Sequence, residues 1–73
     1  MENLEGHSEP ITWRQWLARY SKADKLGKAS MIARYKRMSY GQYQIAKDRG
    51  EIHEGAIIRS VQAKIVHNQP FDL

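Results

Sequence analysis

The side chains that could do chemistry are scattered along this sequence. His7, His53 and His67 are too widely spaced for any two to sit about four residues apart on one helix face, the arrangement that lets a pair hold a metal. Cysteine is absent, which excludes thiolate ligands, a thiol nucleophile and disulfides, and fits a reducing, cytoplasmic compartment. Ser21, Ser30, Ser39 and Ser60 stand outside any Gly-x-Ser-x-Gly turn, and the glycines do not cluster ahead of a helix as a phosphate-cradling loop requires. No catalytic set, metal site, cofactor or small-molecule substrate is expected.

What the sequence does concentrate is positive charge. Residues 10–50 carry Arg14, Arg19, Lys22, Lys25, Lys28, Arg34, Lys36, Arg37, Lys47 and Arg49 against Asp24 and Asp48, so this stretch is +8 in a chain whose total is +4. Residues 1–9 hold Glu2, Glu5 and Glu9 with no cation, and the last third returns to near neutrality. A basic block between acidic and neutral ends is the electrostatic footprint of a polyanion binder. Around its centre, Arg34, Lys36, Arg37, Lys47 and Arg49 interleave with Tyr35, Tyr40 and Tyr43. Lysine and arginine neutralise phosphates by releasing counterions, and a phenol can bond a phosphate or stack on a base. The alternative is a solubilising surface, with Tyr35 or Tyr43 turned inward against Ile32 and Ile45.

Residues 42–61 resemble a helix-turn-helix unit. Ala46 would let two helices approach, Gly50 four positions on would make the turn, and the following helix would present His53, Glu54, Arg59 and Gln62 to the major groove. With the basic face this makes Arg34, Lys36, Arg37, Tyr40, Gln42, Lys47, Arg49, His53 and Arg59 the expected nucleic-acid contacts. Arg49 departs from the apolar residue usual at its position, and Glu51 and Glu54 bring negative charge to the approach. A second reading turns the segment from Gly50 to Ile52 into the lead of a β-ribbon, giving a winged helix similar to phage excisionases, though the proline-rich turn and aromatic-basic hairpin of those proteins are missing.

The elements that must position these residues follow from periodicity. Thr12 and Gln15 form a T-x-x-Q capping box, after which Trp13, Trp16, Leu17 and Tyr20 recur on one helical stripe, so a first helix is expected over residues 13–22. Gly27 is expected to break the chain before a second helix at 28–37. Ser39 is a good N-cap for a third helix, which stops at Gly50. Ile57, Ile58, Val61, Ile65 and Val66 suit a helix over residues 54–67, although Val61, Ala63 and Ile65 also alternate as a strand would. Pro70 ends any helix, and Phe71 is expected to fold back on the core.

With 73 residues and no apolar run near the ~18 that span a membrane, the chain reads as one mainly α domain of three to four helices. Residues 1–9 form a flexible acidic arm, residues 10–67 the domain and residues 68–73 a tail. Two functions compete. One is a small DNA-binding regulator of phage, plasmid or prophage type. The other is an adaptor or inhibitor that docks on a protein, or on a second copy of itself, through Trp13, Trp16, Ile58, Val61 and Ile65; exposure of these residues would favour it.

Overall fold

A computed structural model describes residues 10–73; the acidic arm lies outside the described residues. Four helices follow one another: α1 (Trp13–Lys22), α2 (Lys25–Tyr35), α3 (Tyr40–Asp48) and α4 (Glu54–Val66). Among the described residues there is no strand, so neither the β-ribbon nor the alternating strand near Val61 forms.

Each helix starts where a short polar side chain can accept an amide or where the chain turns in from extended backbone. Thr12 Oγ1 accepts the Gln15 amide at 3.0 Å. Gln15 Oε1 reaches back to the Ile11 amide at 2.8 Å, one residue beyond the expected capping-box partner. Only Ala23 and Asp24 separate α1 from α2. The Asp24 carboxylate caps α2 by accepting the Gly27 amide at 2.8 Å, so Gly27 sits inside the first turn instead of breaking the chain. A Cβ at Gly27 would lie 3.1 Å from both the Ala23 Cβ and Asp24 Oδ1, and glycine leaves this tight entry open. Ser39 and Gln42 form a complete capping box on α3, each side chain accepting the other's backbone amide. His53 begins α4 without a side-chain cap.

Three helices end alike. After α2, α3 and α4 the chain passes through a left-handed residue: Arg37 (φ 59°), Gly50 (φ 74°) and Asn68 (φ 53°). At each, two amides turn back onto the last carbonyls, as in Met38 to Ala33 (3.0 Å) with Arg37 to Arg34 (3.0 Å), or Glu51 to Ala46 (2.9 Å) with Gly50 to Lys47 (2.9 Å). Helix α2 therefore ends before Arg37, and α4 ends at Val66, two residues before the left-handed Asn68 and well ahead of Pro70.

Packing is closest between α1 and α4 and between α2 and α3, with α1 against α2 joining the two pairs. The core is Trp13, Trp16 and Tyr20 from α1, Ala29, Ile32 and Ala33 from α2, Tyr43 from α3, and Ile57 and Val61 from α4. Trp16 stacks on Tyr20 at 5.4 Å between ring centroids. The tail closes over α1 as expected: Phe71 meets Trp13 edge to face at 4.7 Å, and Trp13 Nε1 donates to the Pro70 carbonyl at 3.0 Å.

Candidate nucleic-acid interface

The helix pair placed by sequence across Gly50 is not one of the closely packed pairs, since α3 packs on α2 and α4 on α1. The same pattern of small residue, left-handed turn and capped second helix occurs one helix earlier. Ala33 is buried on α2 (4 % exposed), and four residues later Arg37 adopts the left-handed conformation that a turn glycine would. Residues 36–39 make the connection, Met38 tucks half-buried against the core, and Ser39 caps α3. Tyr43 and Ala46 then face inward.

The opposite face of α3 is open. With one residue about every 100° around the axis, Gly41, Gln44, Ile45 and Asp48 share the outward stripe. All four are exposed, Ile45 at 57 %. Tyr40 and Lys47 lie along one edge of that stripe, Gln42 and Arg49 along the other. Ile45, the packing partner of a tyrosine in the alternative reading, stands outside. Tyr43 does enter the core, while Tyr35 is half-buried with its ring 5.7 Å from Trp16 and 5.8 Å from Trp13.

The remaining expected contacts line separate hollows or stand alone. Arg34 borders a hollow with Arg19, Trp16 and Phe71 on the side of the tail. Arg37 shares a hollow with Lys64 and Asp72. Lys36 and His53 line a groove with Glu51, next to the Tyr35 hydroxyl, which lies 2.9 Å from Ser60 Oγ. Arg59 is exposed on α4. Gln42 spends its side-chain oxygen on the Ser39 amide, which leaves its NH2 to meet a ligand. Lys47 gathers instead with Lys25 and Lys28. Sequence reasoning passed over these two lysines because it started α2 at Lys28; the signal that would have placed them was Asp24, three residues before the Gly27 amide it caps.

The apolar set offered for a protein interface is largely internal. Trp13, Trp16 and Val61 are at most 3 % exposed, and Ile58 and Ile65 are half-buried against the core. Covering this core uses up most of their apolar area.

One titratable group is strongly perturbed. Tyr20 is raised well above its ordinary 10.0, first by burial, then by donating its hydroxyl hydrogen bond to Glu54, then by the negative charge of Glu54. The phenol is thereby held neutral as a fixed donor that ties α1 to the start of α4. Among the described residues no three histidine, aspartate or glutamate side chains gather as a metal ion would require, and no helix is long and apolar enough to cross a membrane. No family model, curated protein or solved structure matches this chain.

Proposed function

We propose that this protein is a small DNA-binding regulator, of the type encoded by phages, plasmids and prophages, that reads duplex DNA with α3. The observation that carries this is the α2–turn–α3 pair: a capped second helix whose outward stripe no other described element covers and whose edges carry Tyr40, Lys47, Gln42 and Arg49. In a helix-turn-helix protein the second helix lies in the major groove, about 12 Å wide, while the first crosses the backbone. A nine-residue α3 is about 13.5 Å long, enough to follow a few base pairs. Gly41 permits close approach, Gln44 has the donor and acceptor that pair with adenine, and Ile45 suits the methyl group of thymine. The +8 block supplies the attraction to phosphate.

The test is binding of the full chain to mixed-sequence duplex across a salt series, with backbone amide resonances followed at low salt. Log affinity should fall with log salt by about 0.9 per phosphate contacted. The amides of Gly41, Gln44 and Ile45 should shift most. A flat salt response or no binding overturns the proposal, and shifts centred on Arg59 and Gln62 would return the reading helix to α4.

A further inference from the structure

Lys25 and Lys28 stand one turn apart at the start of α2, and Lys47 in the last turn of α3. The packing of the two helices brings all three to the rim of one cleft of about 400 Å³, floored by the buried rings of Tyr20 and Tyr43. Lys28 Nζ rests 5.5 Å from the centre of the Tyr20 ring. Glu54 is the one acid lining the cleft, and it already accepts the Tyr20 hydroxyl, so three lysines border the cleft with a single occupied carboxylate. Cations bordering one cleft repel, and one occupied carboxylate relieves that repulsion only in part. An oxyanion relieves it; the positive end of α2 is already met by the Asp24 carboxylate, so the attraction comes from the lysines.

We propose that this cleft is a phosphate-binding site, and that it takes a backbone phosphodiester beside the groove entered by α3. The second clause rests on the DNA reading above. The first helix of such a pair crosses the sugar-phosphate backbone, which places lysines at its start against phosphate oxygens. Lysine suits the task as a compact charge with three donors, each able to meet a non-bridging oxygen. The contact carries no sequence information. It sets the register in which the α3 stripe meets the bases.

The variant that tests this combines Lys25→Gln, Lys28→Gln and Lys47→Gln. Its control combines Arg14→Gln, Arg19→Gln and Lys22→Gln, which removes the same charge from α1; circular dichroism melts establish that both fold. On mixed-sequence duplex, the cleft variant should lose about 0.9 from the log–log salt slope for each phosphate released, and the control should lose less. Equal slopes in the cleft variant and the unmodified chain overturn the backbone contact. In a separate arm, inorganic phosphate is titrated into the full chain while the amides of Lys25, Lys28, Tyr43 and Lys47 are observed. Localised shifts that the cleft variant loses support a phosphate site even if the unmodified chain binds no duplex, the outcome that would sink the DNA reading alone. A changed slope without such shifts supports a site that takes the diester only. Unchanged slope together with no localised shift overturns the proposal entirely.

Discussion

Arg37 occupies a backbone conformation that costs a residue with a Cβ roughly 1–2 kcal/mol, and it does so at the exposed turn between α2 and α3. Nothing in the packing needs an arginine there. Replacing Arg37 with glycine should therefore stabilise the fold by about 1 kcal/mol, seen as a higher urea midpoint at unchanged slope, while weakening duplex binding. Higher stability with unchanged binding would show that the guanidinium does nothing for DNA. Tyr20 makes a prediction in pH. Its phenol is raised above 10.0 in the folded chain by burial and Glu54, whereas the unfolded tyrosine ionises near that ordinary value. Below the ordinary value both states keep the proton, and what this group contributes to stability does not change with pH. Above it the unfolded chain loses the proton first, so stability falls as pH rises. Phenolate absorbance should show one tyrosine that resists titration until unfolding, and Tyr20→Phe should remove that part of the alkaline destabilisation. A Tyr20 that titrates at its ordinary value would contradict the burial argument.

At the scale of the element, α3 is tuned against its own stability. Gly41 lies in the first turn of an exposed helix, and the nearest atom to a Cβ there is Ser39 Oγ at 4.0 Å, so alanine fits without a clash. Gly41→Ala should stabilise the fold by roughly 0.5–1 kcal/mol through helix propensity. If α3 enters a groove, the added methyl group stands between helix and bases, and affinity should fall while thermal stability rises. A variant improved in both would argue against this face. The helices themselves were legible because their signals are local: Thr12 and Ser39 as caps, the stripe from Trp13 to Tyr20, and Gly50 as a stop all operate within a turn of the chain. The start of α2 was misread because a glycine usually marks a break, and only the position of Asp24 shows that here it relieves crowding at a cap. For a related reason the sequence placed the helix pair across Gly50, whereas the closely packed pair is α2 with α3. A left-handed turn is advertised by glycine, so Gly50 drew the assignment and Arg37, which adopts the same conformation, was invisible. Which helices pair depends on long-range contacts that no local pattern encodes.

For the whole molecule, the large rings are spent on cohesion. Trp13, Trp16 and Tyr20 with Tyr35 and Phe71 form one aromatic cluster that joins α1 to α2 and to the tail. A short chain buries a modest share of its surface, so each large ring counts for much of its stability. Phe71→Ala should cost about 2 kcal/mol, less than a fully enclosed phenylalanine because Phe71 is half-buried, and should expose Trp13 to water. A red shift of tryptophan emission with an earlier thermal transition is the expected record; an unchanged transition would mean that the tail only rests on the surface. The division of charge was legible from the sequence, but its geometry was not, because cations close together in the chain face different hollows once α2 and α3 are wound.

Pro10, Phe71 and Leu73 border the same hollow beside Trp16, so the first and last described residues meet on one side of the domain. The path of residues 10–73 is therefore almost a closed ring. A short linker from residue 73 to residue 10, with the backbone reopened in the irregular stretch around Glu51, should yield a circular permutant with the same four helices. Its new ends would stand between α3 and α4, away from the tail, and would offer an attachment point for a fluorophore or an affinity tag that leaves the aromatic cluster undisturbed.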